Sequence, residues 1–524
     1  MFLNFILALL PIIWLFIAFL GIKLPGYIGC LIALAISIVE SVIFKTANIS
    51  ETLTGLTIGE SLTATLEGVI TAIWPIGIII IAAMFTYNLC VKTGAMAMIK
   101  KMLVSVTNDK RVLVLILAWG FGGFMEAVAG FGTAVAIPAA MLVALGYDPL
   151  FSAVVCLVAN AAPPTFGSIG IPTTTAAGLA GMDPLVLSGP AINMLAIPAF
   201  LSPFIIVFLT GRVSGSRGAF KGMIGFTLIA ALSYVVPAVI VGNFVGAEFV
   251  DLVGNTVSLV VMVIAARKRK PAADPAYMID ADSSDDDEVL PDFGYGKAWL
   301  PYILMLVFLI GTSKLVPGIG TALGKLSTSF VVFSGEGGAT VKLAWIGNAG
   351  VMIFIAGLIG GLVQGASLQD IGSVLVHTVR SMWKAIATVI FIVAMAKVMG
   401  YSGMTSAIAV LLAELTGSFF PALAPVVGIL GTFVTGSTTS SGILFANMQV
   451  EVAQRIGADA VQLVAANMAG GAIGKLISPQ SIAVAIAAIG LEGADGKIMS
   501  KTVVYCVIFG LIVCVLSYIM AVLL

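Results

Sequence analysis

Apolar runs of about twenty residues recur along the whole chain, and polar positions are confined to short breaks between them. The runs fall near residues 2–20, 26–44, 68–90, 112–145, 150–178, 190–210, 222–241 and 248–265. After a polar stretch at 266–297 they resume near 298–313, 344–363, 385–400, 422–450, 460–488 and 502–523. A membrane-spanning helix needs about 20 mostly apolar residues, so the pattern predicts an all-α polytopic membrane protein. Segment 403–418 is short and is expected to be interfacial or partly inserted. Residues 2–20 lack a basic leading region and a small-residue cleavage site, which predicts a retained first helix rather than a signal peptide.

Two of the runs are too irregular for simple spans. Within 112–145 lies Trp119-Gly-Phe-Gly-Gly-Phe-Met-Glu-Ala-Val-Ala-Gly-Phe-Gly-Thr133, with five glycines and the carboxylate Glu126. Each glycine weakens a helix by about 1 kcal/mol relative to alanine. Lipid cannot satisfy freed backbone groups, so irregular backbone at membrane depth must be buried in protein or line a wet cavity. Run 422–450 carries Thr435-Gly-Ser-Thr-Thr-Ser-Ser-Gly442, six hydroxyls in eight residues. Both segments are read as re-entrant helical hairpins.

Charge supports that reading. The basic loops are Lys100/Lys101/Lys110/Arg111, Arg212/Arg217/Lys221, Arg267-Lys-Arg-Lys270, Arg380/Lys384 and Lys497/Lys501. Short basic loops stay in the cytoplasm. All five fall on one side only if both hairpins return to the face they left, which predicts about twelve full spans plus two hairpins, with both termini outside. Stretch 266–297 starts basic and ends in Asp285-Asp-Asp-Glu288, as a solvated linker does.

The two halves of the chain repeat. Trp74 and Gly94 are matched by Trp383 and Gly403 at an offset of 309 (383 − 74). Asn160, Gly167 and Pro172 are matched by Asn467, Gly474 and Pro479 at an offset of 307 (467 − 160). In the topology above, the matched spans run in opposite directions. The chain then divides into a first repeat over 1–210, linking helices and a polar cytoplasmic loop over 211–297, and a second, inverted repeat over 298–524. Each repeat holds one hairpin followed by one broken helix, at 150–178 and 460–488. Inverted repeats with paired interrupted helices are the mark of a secondary transporter that binds at the midplane.

Composition narrows the class further. Of 524 residues, 60% are hydrophobic and 10% charged, and the mean hydropathy is +1.15. The 25 basic and 25 acidic residues cancel, without the concentrated basic patch that a nucleic-acid partner would need. Cys30, Cys90, Cys156, Cys506 and Cys514 lie scattered in apolar segments and read as small core residues. No cofactor or metal is expected.

The candidate chemistry sits at the interruptions. Half-helix N-termini and short hydroxyls favour anions, which points to Gly130, Phe131, Gly132 and Thr133 in the first hairpin and to Ser437, Thr438, Thr439, Ser440 and Ser441 in the second. The alternative for the hydroxyls is that they only satisfy kinked backbone. Asn160, Asn467, Lys475 and Gln480 lie in the broken helices. Lys475 is suited to a substrate carboxylate, with a structural ion pair or snorkelling as the alternative. Burial penalises a charged carboxylate, so Glu126 is a candidate proton carrier; the alternative is a permanent ion pair with Lys475. His377, beside Arg380, is expected to be a surface residue. Glu40, Asp251 and Lys397 lie near predicted span ends, where snorkelling accounts for them.

Glu-Ala-Val-Ala-Gly-Phe-Gly-Thr (126–133), Gly-Ser-Thr-Thr-Ser-Ser (436–441) and Gly-Lys-Leu-Ile-Ser-Pro-Gln-Ser-Ile-Ala-Val-Ala (474–485) resemble the signature stretches of the lactate permease family. The resemblance runs from about Trp74 to Gly490. It implies symport of L-lactate, D-lactate or glycolate with a proton across a prokaryotic inner (cytoplasmic) membrane. It also implies the hairpin-and-broken-helix plan of the ion transporter superfamily, with an elevator motion. The family carries an aspartate where Thr438 stands, a departure that leaves room for a shifted substrate or ion. Sodium-coupled carboxylate uptake is the competing transporter reading, because hydroxyl-rich tips and unwound carbonyls are able to ligate Na⁺. An intramembrane enzyme would need a nucleophile–base pair or metal ligands at depth, and the single histidine lies outside the spans. A channel would not need an inverted, doubly interrupted repeat.

Overall fold

The structure, a computed structural model, describes every residue except 1, 23, 49–52, 131, 216–217, 269–274, 279–289, 313–315, 492 and 524. Phe131, Arg217, Arg269, Lys270 and the acidic run 285–288 therefore lie outside the described residues. The fold is almost entirely helical, as expected. Among the described residues, eleven helices are long and apolar enough to cross a membrane. The expected twelve differ because some spans are built from shorter pieces. Pro149–Ala159 and Ala349–Val363 are each short apolar helices, as is the first helix, Phe2–Phe16.

Local sequence explains where helices run on and where they stop. Leu368–Tyr401 is one continuous helix of 34 residues, longer than the predicted 385–400, because no proline or glycine interrupts 373–399. A Ser367–Asp370 capping box starts it. Between Ile58–Thr71 and Ile78–Lys92 the chain kinks at Trp74, whose φ/ψ of −128/113 is extended, as steric conflict with the following Pro75 favours. Met404–Thr416, expected to be interfacial or partly inserted, buries Met404, Ala407, Ile408, Ala409 and Leu411 and packs against Phe2–Phe16.

One element has no counterpart in the hydropathy pattern. Strands Ser327–Val331 and Thr340–Ala344 pair antiparallel, with Ser329 opposite Lys342. Their glycine-rich connection is tied down at its tip. The Phe333 ring stacks on Tyr401 at 3.8 Å, the Ala339 amide donates to the Tyr401 hydroxyl at 3.1 Å, and Ser334 and Thr63 share a hydrogen bond of 2.9 Å between hydroxyls.

The helices gather into two groups. In one, Leu368–Tyr401 packs on Gly26–Ala47, Ile58–Thr71 and Ile78–Lys92, while Ala349–Val363 packs on Ile78–Lys92 and Tyr295–Thr312. The other gathers both interrupted hairpins and both broken helices with Pro184–Val213, Ile224–Phe244, Ala247–Arg267 and Asp495–Leu523. Helices Phe2–Phe16 and Met404–Thr416 join the two. Four of the five cysteines are buried and all are free.

Candidate functional site

The first hairpin is a pair of helical limbs that fold back on themselves. Limb one runs from Lys110 to Val128 with a π-helical turn at Leu115–Phe121, and limb two is Thr133–Ala144. The hydroxyl of Tyr147, just past limb two, donates to the Lys110 carbonyl at 2.8 Å, so the segment returns to where it began. Its tip turns through Gly130 (φ 62°) and Gly132 (φ 88°), where a side chain would be strained. Space forbids one as well: a Cβ at Gly132 would lie 2.9 Å from Val484. Thr133 Oγ1 donates to the Gly130 carbonyl at 2.7 Å and closes the turn.

The second hairpin pairs Phe420–Thr435 with Thr438–Ile456 about Gly436 (φ 73°). Its hydroxyls are largely occupied by the hairpin itself. Ser437 caps limb two by accepting from the Ser440 amide at 3.2 Å, and Ser441 donates to the Gly428 carbonyl at 3.1 Å. Thr435 donates to the Gly431 carbonyl at 2.8 Å. Thr438 reaches the Gly471 carbonyl of the second broken helix at 3.4 Å. Ser440 is buried and Thr439 partly so.

Both broken helices are interrupted where the sequence places the breaks. In the first, Pro149–Ala159 ends at Asn160, Pro163–Thr165 makes a 3₁₀ turn, and Gly167–Leu179 follows. Ser168, Ile169 and Gly170 are all left-handed (φ 46°, 58° and 72°). For Ser168 and Ile169 this costs about 1–2 kcal/mol each, and Ser168 Oγ donates to the Ala129 carbonyl at the first tip at 3.2 Å. In the second, Ala460–Gly474 and Pro479–Ile489 are separated by the turn Lys475–Ser478. Helix Pro479–Ile489 touches both tips, through Val484 at Gly132 and Gln480 at Gly436.

At the junction of these pieces lies a buried ion pair. Glu126, 3% exposed, accepts from Lys475 Nζ through Oε1 at 2.9 Å. Asn160 Nδ2 donates to Oε2 at 3.1 Å. Gly167 is needed beside them, since a Cβ there would lie 2.7 Å from Glu126 Oε1. One hairpin limb and both helix breaks thus converge on a single carboxylate. Taking a carboxylate and an ammonium out of water costs several kcal/mol per ion, offset only by their attraction and added hydrogen bonds.

The remaining candidates are placed elsewhere. Asn467 is buried and accepts from Gln449 Nε2 at 3.4 Å. His377 is exposed, as expected. Three charged residues expected to snorkel do not. Lys397 pairs with buried Glu67, to which the Tyr401 hydroxyl also donates at 3.0 Å. Glu40 is 8% exposed, and Asp251 is fully buried with the Tyr234 hydroxyl donating to its Oδ1 at 2.7 Å. For Asp251 the physical reason is the start of its helix. Ala247 is pressed against the left-handed turn at Gly170, so the first turn is covered by protein. The signal that finds this residue is Asp251 with Asn255, four apart on one face of the span.

A polytopic helical protein with two interrupted hairpins, two broken helices and a buried ion pair between them belongs to the class of membrane transporters. Comparison with solved structures agrees at the level of fold. The YdaH transporter of Alcanivorax borkumensis superposes with a TM-score of 0.53 at 16% identity, covering 94% of this chain and 98% of that one. MtrF of Neisseria gonorrhoeae, described among antimetabolite efflux pumps, gives 0.51 at 15% identity over 94% and 95%.

The sequence model described as L-lactate permease matches residues 4–524, and the chain belongs to that family. An L-lactate permease of Streptococcus iniae is 42% identical over 86% of this chain and 91% of its own. One from Bacillus subtilis is 33% identical over 98% and 95%. The glycolate permease GlcA of Escherichia coli is 32% identical over 99% and 96%.

Proposed function

We propose that the chain is a proton-coupled symporter of lactate and related small 2-hydroxymonocarboxylates such as glycolate, acting in the inner membrane of a prokaryote. The observation that carries this reading is the Glu126–Lys475 pair with Asn160. Lys475 is a compact ammonium in a helix break, suited to a small carboxylate. While it is paired with ionised Glu126, an incoming anion has to compete for it. Protonating Glu126 releases Lys475 to the substrate, and the bound anion in turn favours protonated Glu126. Proton and substrate then strengthen each other's binding, the reciprocal linkage that symport requires. Asn160 retains Glu126 in either state, as its amide can donate or accept.

The hairpins are taken as re-entrant from opposite faces, as halves of an inverted repeat. The helix group that contains the ion pair then moves against the other in an elevator-type exchange. Uptake of labelled lactate into proteoliposomes under an imposed pH gradient, with a sodium gradient as the comparison, tests the coupling. Accumulation with the pH gradient alone is expected; accumulation only with sodium contradicts it.

A further inference from the structure

The site holds a second buried carboxylate. Asp251, on helix Ala247–Arg267, is 0% exposed. Tyr234 donates to its Oδ1 at 2.7 Å, whereas Oδ2 has no hydrogen-bond partner among the described residues. One turn further on, Asn255 lies against Gly123, a turn before Glu126 on the hairpin limb, and its Nδ2 is also without a partner. The Oδ1 of Asn160, whose amide binds Glu126, is a third unpartnered buried atom. Tyr234 bonds Asp251 directly, and Glu126 and Lys475 act on it through charge.

Glu126 and Asp251 are thus two buried carboxylates on helices packed against each other, and Glu126 takes the ammonium of Lys475 at 2.9 Å. An isolated ionised carboxylate in a low-dielectric interior is so costly that it takes up a proton instead. The three groups are balanced with one proton among them. A substrate carboxylate beside Lys475 adds a further negative charge and calls for a second proton. We propose that Asp251, positioned by Tyr234, is a second proton-binding carboxylate of the transport site, and that substrate enters only while Asp251 is in its acid form. The proton comes from water onto Oδ2, and no covalent bond to carbon changes. The proposal rests on the symport reading and deepens it: Glu126 exchanges the proton that travels, and Asp251 keeps the anion's approach free of repulsion.

Lactate counterflow in proteoliposomes at equal pH on both sides tests this without any gradient. Wild-type counterflow needs acid Glu126 and acid Asp251 together, so above both midpoints it is expected to fall by up to about a hundredfold per pH unit, as two required protons demand. Asp251→Asn, which is fixed in a neutral form at 251, should fall only about tenfold per pH unit over the same range, the dependence that Glu126 alone leaves. A wild-type-like fall in Asp251→Asn overturns the proposal. If that variant fails to fold, Tyr234→Phe decides. Removing a donor to the carboxylate favours its acid form, so the fall should move to higher pH; an unmoved profile overturns the proposal. A wild type that counterflows lactate but does not accumulate it under a pH gradient would instead refute the symport reading.

Discussion

Glu126 and Lys475 stand 349 residues apart in the chain, yet their side chains meet at 2.9 Å, with Glu126 buried and Lys475 largely so. Removing one partner differs from removing both, because a lone buried charge is costlier than a buried pair. Lys475→Ala should weaken lactate binding by about 1.5–3 kcal/mol, the scale of a lost charge-assisted hydrogen bond, or roughly 10- to 150-fold in Kd. It should also lower thermal stability in detergent, and adding Glu126→Gln should restore much of that loss. Lys475→Arg should remain poor, since a planar fork does not replace a compact ammonium. Unchanged affinity in folded Lys475→Ala would make the lysine purely structural. Lys397 offers the contrast. Its partner Glu67 is equally buried but belongs to the other helix group, so Lys397→Ala should destabilise by about 3–5 kcal/mol while leaving lactate affinity within about twofold.

At the scale of elements, the breaks were readable and many contacts across them were not. The glycines of 119–133 marked an interruption because each weakens a helix, and the chain turns there through Gly130 and Gly132. The pairing of Glu126 with Lys475 was readable as one of two alternatives, because both charges stood inside interruptions. The hydroxyls of 435–441 were read mainly as ligands, yet several serve the hairpin backbone, as short polar side chains near turns often do. Asp251 and Lys397 were misread for one reason. Hydropathy places span ends but does not say which ends are covered by other helices. The β-hairpin at 327–344 was missed because ten strand residues joined by a glycine-rich loop carry no helical period to detect. Asn467 shows the limit of repeat logic. Its repeat-mate Asn160 holds Glu126, whereas Asn467 meets Gln449.

For the whole molecule, the proposed inverted repeat makes a topological statement. Introduced thiols at Gly146 and Gly457, which follow the two hairpins and have positive φ with open space around them, should be labelled by a membrane-impermeant reagent from opposite faces. Labelling of both from the same face would contradict the inversion. The two helix groups are arranged as an elevator would need, with both hairpins and both broken helices in one of them. In such a motion the Glu126–Lys475 pair travels as a unit, and its charge state decides when the move is allowed.

The central claim is that Glu126 carries the coupled proton, and its most direct test compares accumulation with exchange in one variant. Glu126→Gln imitates the protonated carboxyl and frees Lys475 for substrate. Reconstituted into proteoliposomes, it should exchange internal for external lactate and yet fail to concentrate lactate under an inward pH gradient that drives the wild type. Accumulation by Glu126→Gln against that gradient would show that the proton travels elsewhere.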